Sequence, residues 1–162
     1  MAPGLLAGKL VFRCRMAGFL VDSQKRWKKT ITMKSTEQAV RIYERCVEAA
    51  KKKGTLSYRD VLDHLGYGSR VQGHAIRYGL EIVWIACADA GLPLLTSIVI
   101  SKSTGEPNLD GFSVKNWKEE AERVFNHESW PRAEEIDWKY IWINRAMLSD
   151  KHGTRGYWGC TQ

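Results

Sequence analysis

Three helical patterns with marked ends, followed by a change of period, place the strongest limit on the fold of this chain. The first runs from Ser35 to Gly54, with a capping-box spacing at its start, apolar residues at helical intervals and lysines before the glycine. A second, shorter pattern begins at Ser57, the expected cap with Asp60 three residues on, and ends in the glycine turn of residues 66–68, where the third pattern follows at once. Residues 94–101 are rich in β-branched side chains, which predicts a strand.

This order of three helices, with a turn between the second and third and then a strand with a hairpin-like loop, predicts a winged helix-turn-helix. Two further helical patterns, SVKNWKEEAERVFNH and AEEIDWKYIWINRAML, would pack on the same core, and LDGF would form a short return strand. The predicted fold class is mainly α with a small β element, a winged helix-turn-helix core plus two C-terminal helices. We expect a basic extension over residues 1–32, the winged-helix domain over 33–113, the helical addition over 114–150 and a glycine-rich tail over 151–162.

The start of the third helix is predicted from a second capping-box spacing. Gln72 follows Ser69 by three residues, so the helix is expected to begin at Ser69 and to end before Gly91. Gln72 would then hold the helix backbone rather than a base edge. Gly73 and Gly79 have no side chain and would let another element approach this helix closely.

The net charge of +7 is unevenly distributed along the chain. Residues 1–32 contain seven basic residues and one acidic residue, so the rest of the chain is close to neutral. Global charge is therefore weak support for nucleic-acid binding, which needs basic side chains clustered on one surface. Three interpretations of residues 1–32 stay open: a start site set too early, with Met33 as the true start, a basic arm, or a targeting segment.

Several classes of protein do not fit the sequence. The four cysteines and four histidines are scattered without a CxxC pair, so neither a disulfide framework nor a metal site is predicted. No apolar run is long enough to cross a bilayer, and a reducing, cytoplasmic location is expected. No nucleophile with a patterned base and no phosphate-binding glycine loop is present, so no enzyme activity and no cofactor are predicted.

The third helix is the candidate recognition element for DNA. A helix N-terminus presents free backbone N–H groups and a positive dipole end, which suit phosphate. Arg70 would lie one residue past the cap, within reach of a phosphate or a base edge, and Ser69 would help to hold phosphate. Tyr58, Arg77 and Lys102 would be auxiliary contacts. The alternative is that Arg70 is only a solvated residue of a first helical turn.

The segment GTLSYRDVLDHLGYGSRVQGHAI resembles the DNA-binding segment of the alkylguanine-DNA alkyltransferases and alkyltransferase-like proteins. That family has a TYG-x-(L/V)A helix followed by an ARAVG-x-A recognition helix in the minor groove. Ser57–Tyr58 stands at the threonine–tyrosine, and the second pattern is matched at Arg70, Gly73 and Ala75. The resemblance covers about 50 residues. It implies that Arg70 enters the duplex in place of an extruded nucleotide, and that Tyr58 helps to rotate the 3′ phosphate.

The departures from the family pattern argue against its chemistry. Aligning Val99–Ile100 with the family's VV strand places LTSI, residues 95–98, where the reactive PCHR sequence stands. Neither a cysteine nucleophile nor a histidine that would generate a thiolate is present there, nor the tryptophan of alkyltransferase-like proteins. The resemblance therefore implies a non-enzymatic protein that binds duplex DNA and could sense modified or damaged bases without alkyl transfer.

The last helical pattern carries two apolar stripes. One consists of Ile136, Tyr140, Ile143 and Met147, and the other of Trp138, Trp142 and Arg145. A helix with two apolar faces either lies deep in a core or binds something. For the tryptophan stripe both interpretations stay open. The second function hypothesis is therefore a protein-interaction module without nucleic acid, in which Trp138, Trp142 and Arg145 bind another protein or a second copy of the chain.

Overall fold

The structure is a computed structural model that describes residues 35–107 and 116–152. The predicted extension over residues 1–32, the return strand at LDGF and the tail beyond residue 152 lie outside these ranges. The described chain is mainly α-helical with a small β element, as predicted. Its elements are α1 (residues 35–51), β1 (Leu56–Ser57), α2 (Tyr58–His64), a 3₁₀ helix (Gly73–Ile76), α3 (Arg77–Asp89), a 3₁₀ helix (Leu95–Ile98), β2 (Val99–Ile100), α4 (Trp117–Asn126), a 3₁₀ helix (Ala133–Glu135) and α5 (Trp138–Lys151).

Helix α3 is the centre of the core. Every residue from Ile82 to Cys87 is buried, so the helix is apolar all round over nearly two turns, as expected for an element enclosed on several sides. It packs against α5 and against the 3₁₀ helix Leu95–Ile98. Gly91, which has a φ of +67°, follows the end of α3, as the sequence predicts.

The predicted close approach at Gly79 is confirmed. A Cβ atom at Gly79 would lie 2.7 Å from Cδ1 of Ile42 and 3.2 Å from Cβ of Gln38, both on α1. These separations are shorter than van der Waals contact, so α1 and α3 can pack at this distance only because residue 79 has no side chain. Gly73 differs, because a Cβ atom there would meet Tyr58 at an ordinary 3.9 Å.

The two strands form a parallel pair with Leu56 opposite Val99 and Ser57 opposite Ile100. The strand predicted for residues 94–101 is wrong over its first half, which forms the 3₁₀ helix Leu95–Ile98. The backbone N–H of Ser97 donates to the carbonyl of Leu94 at 2.9 Å and closes this turn. All four residues of the turn are buried, and a short buried apolar run has the same sequence pattern in a strand and in a helical turn.

The start of the third helix also differs from the prediction. Ser69 and Arg70 lie in a turn, helical structure begins with the 3₁₀ helix at Gly73, and α3 begins at Arg77. Gln72 is the residue before the 3₁₀ helix and makes no side-chain capping bond. The physical reason is that the side chain of Arg59 binds backbone carbonyls of this turn, which a helix starting at Ser69 would have used in its own first turn.

Helix α5 buries one of its two apolar stripes. Trp138 and Trp142 are buried, and Nε1 of Trp138 donates to the carbonyl of Ala133 at 2.7 Å. Tyr140, Ile143 and Met147 are exposed instead. The tryptophan rings are therefore core residues in this structure, which favours the core interpretation of this stripe, and partner binding stays a prediction.

Candidate nucleic-acid interface

The turn between α2 and α3 presents the residues that the sequence selects as DNA contacts. Gly66, with a φ of +79°, follows α2, and the backbone N–H of Val71 donates to the carbonyl of Gly68 at 3.0 Å. Ser69 and Arg70 are exposed between these two points. Within the described ranges the guanidinium of Arg70 has no hydrogen bond or ion pair, so it is available to an anion. We call residues 66–72 the reader turn.

Arg59, which the sequence analysis did not select, holds the reader turn against α2. Its Nη1 donates to the carbonyls of Ser69 at 3.2 Å and Val71 at 3.3 Å, and its Nη2 donates to the carbonyl of Tyr67 at 3.0 Å. Its Nε donates to Asp63 Oδ1 at 2.8 Å, which orients the guanidinium. The sequence signal is an arginine four residues before an aspartate on a helix, which indicates the ion pair but not the three carbonyl bonds.

The first turn of α2 lies next to several of the predicted contact residues. A Cβ atom at Gly73 would lie 3.9 Å from Cβ of Tyr58, Arg59 binds the reader turn, and Asp60 Oδ1 lies 3.7 Å from Nζ of Lys102. The parallel strands explain this neighbourhood, because both strands end at the same edge and lead into α2 and into the loop that carries Lys102. The predicted capping box at the start of α2 is confirmed by reciprocal bonds between Ser57 and Asp60.

The predicted contact residues differ in exposure. Ser69, Arg70 and Lys102 are exposed, whereas Tyr58 and Arg77 are half-buried. Hydrogen bonds from the side chain and backbone of Ser57 lower the pKa of Asp60, with a smaller contribution from Lys102. Asp60 therefore remains ionised near neutral pH and offsets part of the positive charge of Lys102. Tyr58 packs against the core.

The position that the family resemblance aligns with a reactive cysteine is Thr96. Its side chain has no accessible surface, and the neighbouring Ser97 is also buried. Burial raises the pKa of Cys87 to about 12 and that of Cys46 to about 12, which disfavours the thiolate of either residue at neutral pH. Neither hydroxyl and neither thiol therefore faces a surface on which a DNA base could be placed.

Glu81 lies one helical turn after Arg77, and burial raises its pKa to about 7 against the attraction of Arg145 and Arg77. Because the folded protein favours the protonated acid, stability is lost as pH rises from the unfolded-state value near 4.5 through 7. Glu81→Gln should therefore raise the free energy of unfolding at pH 8 by about 1–2 kcal/mol, a value reduced for the partial exposure of the side chain, and by much less at pH 5. Urea unfolding of both proteins at both pH values measures this difference, and an equal gain at the two pH values would contradict it.

Within residues 35–107 and 116–152, no helix has the length and apolar character of a membrane span. The same residues contain no group of three histidine, cysteine, aspartate or glutamate side chains arranged to hold a metal ion. Comparisons of this chain with protein-family models, with curated proteins and with solved structures give no match.

Proposed function

We propose that this protein binds duplex DNA without chemical change to the DNA, and that the reader turn is the element that contacts the duplex. The observation that carries the proposal is Arg70, an exposed guanidinium with no partner among the described residues, on a turn whose backbone is held in place by Arg59. A held turn loses little conformational entropy on binding, so more of the arginine–phosphate or arginine–base energy appears as affinity.

The family resemblance supports the same surface. The resemblance is matched at Ser57–Tyr58, and Val99–Ile100, which aligns with the family's VV strand, pairs as β2 with β1 although it is far away in sequence. The reader turn and the 3₁₀ helix at Gly73 follow α2 in the chain, and a Cβ atom at Gly73 would lie 3.9 Å from Cβ of Tyr58. In this proposal the fold is a winged helix-turn-helix, Arg70 probes a groove, and Ser69 and backbone amides hold phosphate.

Lys102, on the loop after β2, would be the DNA contact that the wing makes in a winged helix-turn-helix. The loop after β2 is closed by a bond from Ser101 N–H to the carbonyl of Glu106 at 2.8 Å, and Gly105 adopts a φ of +69°. The loop thus projects Lys102 beside the first turn of α2. Arg77 is half-buried on α3 and would contribute mainly through its long-range charge.

Arg70→Ala tests the proposal in a salt series with the full chain and a labelled duplex. Loss of the side chain should weaken binding by about 1–3 kcal/mol, or roughly 5- to 150-fold, and should lower the slope of log K against log salt by about one. Lys139→Ala removes an exposed positive charge from α5 and should leave affinity nearly unchanged. A duplex with one alkylated guanine, measured in parallel, tests for recognition of a modified base.

Two outcomes would overturn the proposal. If the full chain does not bind duplex DNA at ~50 mM salt, where electrostatic binding is strong, the reader turn is only a packing element. If Arg70→Ala binds as tightly as the unchanged protein, the affinity belongs to another part of the chain, and residues 1–32 with their concentrated positive charge are the first candidate.

A further inference from the structure

Helix α5 exposes a row of large apolar side chains on the face opposite its buried tryptophans. Tyr140, Ile143 and Met147 are 47%, 64% and 55% exposed, and their spacing places them on one face of the helix. Single exposed apolar residues are ordinary, but a continuous row on one helix face is typical of an interaction site. The core is already complete without this row, because Trp138, Ile141, Trp142 and Leu148 fill the buried face.

The apolar row continues into a cleft. A cavity of about 300 Å³ lies between α1, the end of α3 and the start of α5, and its apolar wall includes Tyr43, Leu92, Pro131 and Ile136. Tyr140 lines this cavity and is also the first member of the exposed row. The row and the cleft therefore form one surface, which we call the α5 surface.

Among the residues that the structure describes, all charged side chains that line the cleft are acidic: Asp89, Glu135 and Asp137. Asp89 is compensated by Lys151, whose Nζ lies 2.8 Å from its Oδ1. Glu135 accepts from the backbone N–H of Arg132 at 2.9 Å, and Asp137 accepts from that of Tyr140 at 2.9 Å. Both donors are neutral backbone groups, so neither contact compensates the negative charge of Glu135 or Asp137.

We propose that the α5 surface docks a basic amphipathic segment of another protein. Apolar side chains of that segment cover Ile143 and Met147, and a lysine or arginine places its aliphatic stem in the cleft with its charge near Glu135 and Asp137. Charge complementarity selects this partner, because an acidic segment would be repelled at the cleft and a purely polar one would leave the apolar row uncovered. The proposal is independent of DNA binding, because the α5 surface and the reader turn share no residue.

The test uses the full chain and three labelled peptides that differ only in composition. One has leucines at helical spacing on a lysine background, the second has the same leucines on a glutamate background, and the third replaces the leucines with glutamine on the lysine background. The leucine–lysine peptide should bind at least about 10-fold more tightly than either of the others. Fluorescence anisotropy gives all three affinities.

Two variants locate the binding on the α5 surface. Ile143→Asn changes an exposed residue and should weaken the leucine–lysine peptide about 10-fold without lowering the thermal midpoint. Glu135→Gln keeps an acceptor for the Arg132 N–H, removes the charge and should weaken the same peptide about 2- to 5-fold. Arg70→Ala should not change peptide binding, and Ile143→Asn should not change DNA binding, so this proposal and the proposed function fail separately.

Three results would overturn the proposal. Binding of no peptide, or equal binding of all three, would show that the α5 surface has no preference for a basic apolar partner. Unchanged peptide affinity in Ile143→Asn would place the binding elsewhere on the protein. A concentration-dependent dimer in sedimentation velocity, abolished by Ile143→Asn, would assign the surface to a second copy of this chain.

Discussion

Gly79→Ala should lower the free energy of unfolding by about 1–2 kcal/mol, although alanine is the better helix former by about 1 kcal/mol. The added Cβ would lie 2.7 Å from Cδ1 of Ile42, so this terminal methyl group must shift within a fully buried position. The second contact, at 3.2 Å, is with Cβ of Gln38, which is fixed to the α1 backbone. Overpacking at this crossing therefore exceeds the gain in helix propensity. Chemical denaturation with far-UV circular dichroism measures the change.

The double variant Gly79→Ala with Ile42→Val tests whether the contact with Ile42 causes this loss of stability. Valine lacks the Cδ1 atom, so Ile42→Val alone should cost about 0.5–1.5 kcal/mol as a cavity, and Gly79→Ala should cost less in that background than in the unchanged protein. Gly73→Ala is the matched control, since its Cβ would meet nothing closer than 3.9 Å and should be tolerated. Additive effects of Gly79→Ala and Ile42→Val would show that the α1–α3 crossing is not set by this contact.

Arg59→Met should lower the free energy of unfolding by about 1–2 kcal/mol and loosen the reader turn. The change removes three bonds to the carbonyls of Tyr67, Ser69 and Val71, and bonds from charged donors contribute more than neutral ones. Amide hydrogen exchange over residues 69–72 should become faster, while exchange in the buried part of α3 should change only with global stability. Asp63→Asn is the control, because it removes the ion pair and leaves the carbonyl bonds in place.

The Arg59→Met variant also distinguishes a residue that positions the reader turn from a residue that contacts DNA. Its guanidinium is occupied by backbone carbonyls and Asp63, so Arg59→Met should reduce DNA affinity without changing the salt dependence. Arg70→Ala should reduce both. If Arg59→Met lowers the salt slope by about one, as expected for Arg70, then Arg59 itself contacts phosphate and the positioning role is wrong. Faster amide exchange in the turn is measurable even if the protein does not bind DNA.

The sequence predicted those features that depend on near neighbours along the chain. The reciprocal bonds of Ser57 and Asp60 join residues three apart, and the turn at Gly91 needs only a residue that tolerates positive φ. The close approach at Gly79 was also predictable, since the absence of a side chain has the same meaning in any packed helix. It was not predictable from local pattern that Ile42 is the residue that fills this space.

The start of the third helix shows how a distant side chain overrides a local signal. Ser69 and Gln72 have the correct spacing for a capping box, and no residue between them forbids a helix. Arg59, ten residues before Ser69, binds the carbonyls of the turn and moves the start of helical structure to Gly73. In the same way, the bond from Leu94 N–H to Glu120 of α4 at 2.7 Å fixes the entry to the 3₁₀ helix that follows.

By itself, the sequence determined the mainly helical class and the ends of several elements, because caps and glycine turns act over a few residues. The choice of the buried face of α5 was made only by the tertiary structure. Both stripes of that helix are apolar, and Trp138 was selected for the core by the ring of Tyr43, at 5.4 Å between centroids, and by the carbonyl of Ala133. The indole N–H of Trp138 is satisfied there, and with both tryptophans in the core the other side of the helix, which carries Ile143 and Met147, is left exposed.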